Sequence, residues 1–185
     1  MRKNSIQKMV LISLFSALMV VSTYLKIPNP LFPVFFTFQP VFCAFAGLLL
    51  GAKCGAAAVA LYIAMGLAGL PVFSAPAGPQ YVLNPTFGFL LGFLAAAWII
   101  GKISEQKTEF TTGKAFLASA IGLLAIYTAG IGYMFLILRF YNNSPTGLGT
   151  LISGMSLYFV KDLILYLPVA VFSPQIKKRI TLFLK

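Results

Sequence analysis

Histidine is absent from this chain, and only three of its 185 residues are carboxylates. That excludes a Ser-His-Asp triad, a His-ligated metal centre and the H-E-x-x-H zinc motif. Cysteine is scarce too. Cys43 and Cys54 form no C-x-x-C pair and have no histidine partners, so neither zinc nor haem has a ligand set. Both read as small apolar residues near a helix and its end. A phosphate loop is missing, because Gly113-Lys114 is followed by Ala115 and lacks the upstream glycine. Two of the three acids, Glu105 and Glu109, fall in one polar loop, which leaves no acid pair for a pocket. The chain is expected to be no enzyme, with no catalytic residue, no metal and no cofactor.

Charge of either sign is also short. Only 9% of residues are charged, where a soluble domain carries roughly 25% to wet its surface. Hydrophobic residues make up 59% of the chain, and its mean hydropathy is +0.93. The solvent for most of this surface is expected to be lipid. At about 20 residues per span plus short loops, the length allows roughly six helices in a single transmembrane domain, residues 1–185.

Six apolar runs fit that count. Met9 to Leu25 follows Arg2, Lys3 and Lys8, and no small-x-small cleavage site comes after it, so it reads as a retained helix rather than a signal peptide. A loop over 26–37 holds Pro28, Pro30 and Pro33. Phe38 to Leu50 is short for a span. Gly51 to Gly55 reads as a tight turn, and Gly55 to Leu70 as the third run. The segment 71–85 carries four prolines and no charge; a Pro-rich loop of that kind suits a cavity wall better than a solvated connector. Thr86 to Ile100, Ala115 to Leu138 and Met155 to Phe172 complete the set, with polar loops at 101–114 and 139–154.

The net charge of +11 is no nucleic-acid signature, because the cations cluster at run ends. Alternating loops place Arg2, Lys3, Lys8, Lys53, Lys102, Lys107, Lys114, Lys177, Lys178, Arg179 and Lys185 on one side. Lys26 and Arg139 fall on the other, and Lys161 lies within the sixth run. That asymmetry predicts both termini in the cytoplasm of a cell-membrane protein, with loops 26–37, 71–85 and 139–154 facing outward.

Lys161 and Asp162 are the costly residues. A charge inside an apolar helix costs about 2.5–3.5 kcal/mol on insertion scales, which marks a functional site by default. Tyr158, Asp162 and Tyr166 share one helix face at four-residue spacing. Two readings stand: Asp162 faces an outward cavity and accepts hydrogen bonds from a ligand, or Lys161 snorkels outward while Asp162 pairs locally. The outer loops add Thr37, Gln39, Gln80, Tyr81 and Asn84 among Phe35, Phe36, Phe73 and Phe87. A mostly apolar lining with a few polar groups suits a small organic ligand; an aromatic belt at the interface is the plainer alternative. Ser13 and Ala17 on the first helix, with Ser16 beside them, form a small-xxx-small pattern for close helix approach, either within the chain or to a partner.

Several stretches resemble the BioY family: Pro33-Val34, Thr37-Phe38-Gln39, the segment from Ala46-Gly47 to Gly51-Ala52-Lys53-Cys54-Gly55, Tyr62, Gly66-Leu67-Ala68-Gly69-Leu70-Pro71-Val72-Phe73, and Pro85-Thr86-Phe87-Gly88 through Gly92-Phe93. BioY proteins are the biotin-binding S components of energy-coupling factor (ECF) transporters. The resemblance is densest over residues 5–101. It implies an all-α S-component bundle of six helices, a pocket roofed by the loop after the first helix, and uptake powered by a transmembrane T component and two cytoplasmic ATPases. It implies ligand contacts from Asn84 and Asp162; the lining read above sets Lys161, Gln39, Tyr81, Phe73 and Thr37 around them. Ser13, Ala17 and Val21 would dock the T component. Where the family carries a lysine three residues after the aspartate, this chain has Leu165; Lys161, Arg139, Lys26 or loop amides are left as partners for a ligand carboxylate. That departure keeps lipoate or another small carboxylate beside biotin as the ligand. A stand-alone carrier or channel is disfavoured by the single acidic candidate, and an assembly protein without a ligand is a third reading.

Overall fold

The computed structural model describes residues 2–27, 35–106 and 109–183. Pro28, Pro30, the Pro33-Val34 pair, Lys107 and Lys185 lie outside the described residues, as does the middle of the expected roof.

The described chain is helical. It comprises α1 (Arg2–Tyr24), α2 (Gln39–Leu67), α3 (Phe87–Ser104), α4 (Thr112–Leu136) and α5 (Leu148–Phe183). A 3-10 turn, Pro79–Leu83, precedes α3, and a π-helical turn, Ile137–Tyr141, extends α4. All five α-helices are long and apolar enough to cross a membrane. Their outward faces carry large apolar side chains: Trp98, Leu124, Ile164 and Leu167 are each about half exposed. In water such faces would aggregate; in lipid they are an ordinary surface.

The expected second and third runs are one helical element with a break. Gly51 has φ 80° and ψ −179°, outside the helical region. The chain doubles back there. Gln39 Nε2 lies 2.7 Å from Tyr62 OH, although a straight helix would separate residues 23 apart by about 34 Å. A Cβ on Gly55 would likewise meet Ala46 O at 2.7 Å. The limbs 39–50 and 52–67 are thus antiparallel neighbours, about 18 and 24 Å long. The expected five-residue turn shrinks to one residue because a glycine in this conformation reverses the chain unaided.

α5 differs more from the sequence reading. It starts seven residues before Met155 and continues through Lys177, Lys178 and Arg179, with Pro168 and Pro174 inside it. The apolar run ends at 172, but helical bonding does not need apolar side chains, so the helix outlasts the run.

Packing follows chain order: α1 on α2, α2 on α3, α3 on α4, α4 on α5, and α5 back on α2. Glycines let backbones approach closely, as small residues do between helices in lipid. A Cβ on Gly47 would lie 2.8 Å from Ala97 O, and one on Gly92 would lie 2.8 Å from the Ile126 backbone.

The bundle has two unlike ends. At one, Glu105 accepts a hydrogen bond from Ala52 N at 2.9 Å, which caps the limb 52–67. Lys177 Nζ donates to Ser104 O at 2.7 Å, and Ser104 Oγ donates to Leu48 O at 2.7 Å. α5, α3 and α2 are tied together there. At the other end Tyr24 donates to Pro71 O, Tyr133 to Val82 O at 2.5 Å, and Ile27 and Phe36 exchange backbone bonds of 2.9 and 3.0 Å.

Candidate functional site

The second end holds a cavity of about 190 Å³, walled by α2, α3, α4, α5 and the two loops above them. Its chemistry begins with the loops. Gly78, with φ 127°, and Pro79 start the 3-10 turn that presents Tyr81. Asn84 Oδ1 then accepts from Thr86 N at 2.9 Å and from Thr86 Oγ1 at 2.7 Å. This local turn opens α3 just before Phe87. It also settles the amide. A backbone N–H can only donate, so the oxygen faces Thr86 and the NH2 group is the one Asn84 can offer a ligand.

α5 supplies the charges. Asp162 is 2% exposed. Its Oδ2 accepts from Tyr127 OH at 2.8 Å. Its Oδ1 sits 2.6 Å from Lys161 Nζ as an ion pair, and among the described residues it accepts no geometrically sound hydrogen bond. Lys161 Nζ also donates to Thr37 O at 2.9 Å and stands 5.5 Å from the Phe36 ring centre. A carboxylate has about four acceptor positions, so Asp162 retains capacity toward the cavity.

α2 supplies the third polar group. Gln39 Nε2 donates to Tyr62 OH at 2.7 Å, and Tyr62 in turn reaches Val72 O at 3.2 Å and Thr23 Oγ1 at 3.1 Å. This buried network joins α1, both limbs of α2 and the loop 68–86. The apolar remainder comes from Phe89, Leu90, Phe93, Ile126 and Met155. The arrangement has no nucleophile with an activating base and no metal cluster among the described residues. It can bind a small molecule with an apolar body and a few hydrogen-bonding atoms at one end.

Six of the candidate ligand contacts converge on this cavity, Thr37, Gln39, Tyr81, Asn84, Lys161 and Asp162, with Phe35 of the expected aromatic lining beside them. Phe73 does not line it. It packs behind the wall, 4.4 Å from the Tyr81 ring and 5.5 Å from the Tyr62 ring. Gln80 is exposed and donates to Ala77 O in its own loop. Arg139 is exposed on the π turn and not among the lining residues. The sequence reading did not single out Tyr127, Thr86 or Met155, and Tyr158 entered it only as a face-mate of Asp162. Tyr127 sits inside an apolar run, and only its position opposite Asp162 on the neighbouring helix marks it. Ser13, Ala17 and Val21 lie together on the exposed face of α1.

The chain matches the BioY family over residues 1–182. It is 41% identical to a probable biotin transporter BioY of Lysinibacillus sphaericus over 77% of this chain and 72% of that protein. It is 41% identical to the biotin transporter BioY of Thermotoga maritima over 69% and 72%, and 33% identical to a putative biotin transporter BioYB of Bacillus subtilis over 97% and 92%. Its fold is that of the S-component for biotin from an ECF-type ABC transporter, whose 2.1 Å crystal structure superposes with a TM-score of 0.83 over 100% of this chain and 99% of that one, at 21% identity. On the family match and the extent of its relatives together, the chain belongs to the BioY family.

Proposed function

We propose that this chain is the biotin-capturing S component of an ECF-type importer in the cell membrane. The observation that carries this reading is the pairing of an Asn84 NH2 donor with a buried Asp162 acceptor across one apolar cavity. Biotin's ureido ring has one carbonyl and two N–H groups. Asn84 donates to the carbonyl, and Asp162 accepts from an N–H. Tyr81 covers the bicycle, with Phe73 stiffening it from behind; Gln39 and Thr37 border the ring, and Lys161 holds the Asp162 carboxylate in place.

In the bilayer the two short limbs of α2 count as two crossings, completed on the outer side by the segments 35–38 and 68–86, which brings the total to six and leaves both termini in the cytoplasm. The cavity then opens outward, and the basic end faces the anionic inner leaflet and the energy module. A transmembrane T component and two cytoplasmic ATPases supply the work that this chain lacks the residues to perform. The exposed Ser13, Ala17 and Val21 face of α1 is the docking surface for the T component, since small residues permit close helix contact in lipid.

Titration calorimetry on the purified chain tests the ligand. Biotin is expected to release heat with one site per chain and lipoate to give none; the reverse result discards biotin as the ligand. A second test concerns the partner. Ser13→Trp combined with Ala17→Trp is expected to cut recovery of the assembled complex on size exclusion at least about tenfold, the loss of one well-packed interface anchor, with biotin affinity unchanged. Full assembly by that variant would place the docking surface elsewhere.

A further inference from the structure

The cavity's charges cancel. Lys161 and Asp162 are the two charged groups among the lining residues, and they face one another at 2.6 Å. The lysine is further held by its 2.9 Å bond to Thr37 O. Residues 28–34 read Pro-Asn-Pro-Leu-Phe-Pro-Val and carry no charge. Lys26 is a further cation beside two lining residues. Its ammonium stands 4.7 Å from the ring centre of Phe35, a residue 40% exposed at the mouth, and 3.4 Å from Ser74 O. Lys26 is itself exposed, so water screens any pairing it makes.

Two of the three N–H groups of Lys161 are committed, to Asp162 Oδ1 and to Thr37 O, so a ligand carboxylate would meet a lysine whose charge its neighbour already neutralises. Drawing the ammonium fully onto the ligand would strand a buried carboxylate in an apolar wall, a penalty larger than one ion pair returns, and would break the bond to Thr37 O. Lys161 therefore works inward, on the protein, and the position three residues after Asp162 offers only Leu165.

Resting on the biotin reading above, we propose that this cavity selects the ureido ring and not the carboxylate, so that it also takes biotin compounds whose carboxyl group is esterified or amidated. The tail's end stays hydrated at the mouth beside Lys26. Lys161 is a positioning residue that neutralises Asp162 and anchors Thr37. The ligand class widens to ring-bearing amides, including biotin joined through its carboxyl to the side chain of lysine.

The experiment compares three probes on the purified full-length chain by calorimetry: biotin, biotin methyl ester and the biotin–lysine amide. Failure of biotin itself to bind would refute the parent reading. With biotin bound, the expected result is that ester and amide follow within about fivefold, the scale of a screened surface charge. A loss of thirtyfold or more for both, the scale of a direct charge-assisted bond, overturns the inference while leaving the parent reading intact. The Lys161→Met variant separates the two roles. Affinities for acid and ester are expected to fall by the same factor, so that their ratio stays as in the wild type. A fall confined to the free acid would show that Lys161 pairs with the ligand carboxylate and would overturn the assignment.

Discussion

Replacing Asp162 with alanine is expected to weaken biotin binding by roughly a hundredfold or more, the range found when one partner of a buried charge pair is truncated. Three losses add up. The ligand N–H loses its acceptor. Tyr127 OH, 2.8 Å from Oδ2, loses its partner inside an apolar wall. Lys161 loses the counter-charge at 2.6 Å and is left with Thr37 O and the Phe36 ring, neither of which carries a compensating charge. The Asp162→Asn variant keeps the volume and one acceptor oxygen. It is expected to fall between wild type and alanine, because a neutral amide accepts more weakly than a carboxylate and presents an N–H to the ligand's own N–H groups. Calorimetry gives the affinities, and far-UV circular dichroism in detergent checks that each variant stays helical. Wild-type affinity in a folded Asp162→Ala protein would remove this residue from ligand recognition.

The same residue shows how far the sequence could be read. A carboxylate inside an apolar run carries an energetic penalty, and that penalty is visible without coordinates. So were Asn84, Gln39, Thr37 and Tyr81, because polar groups set among aromatics in or beside Pro-rich loops have few other uses. Tyr127 was not legible. Tyrosine is common in membrane helices, and what distinguishes this one is its place on α4 opposite Asp162, which depends on how α4 and α5 pack. Helical spacing turns the Cα–Cβ bond of Lys161 about a quarter turn or more away from that of Asp162. Its long flexible stem bridges that angle, and periodicity says nothing of where such a stem turns. The apolar runs located the helices well, while their ends moved: α5 outlasts its run at both ends because backbone bonding, not side-chain hydropathy, ends a helix.

The hairpin within α2 is the part of the fold where a single atom is expected to matter most. Gly51, at φ 80° and ψ −179°, lies in a region essentially restricted to glycine, where other residues are strained by about 1–3 kcal/mol. Relief of contact there would cost the helix cap. A Cβ there would strike the Glu105 carboxylate, which caps Ala52 N at 2.9 Å, and Gly101 packs directly on the backbone of Gly51 and Ala52 from the other side. Gly51→Ala is therefore expected to destabilise the protein by about 2–4 kcal/mol, backbone strain plus a displaced helix cap. Equilibrium unfolding in detergent measures it. The loss should reach the cavity as well, since the corner sets the register of limb 39–50 against limb 52–67 and so the 2.7 Å bond from Gln39 to Tyr62. Adding Glu105→Ala separates the causes. If the collision dominates, the double variant is nearly as stable as Glu105→Ala alone; if the backbone angle dominates, the two losses add. A Gly51→Ala protein as stable as the wild type would mean that the chain does not reverse at this residue.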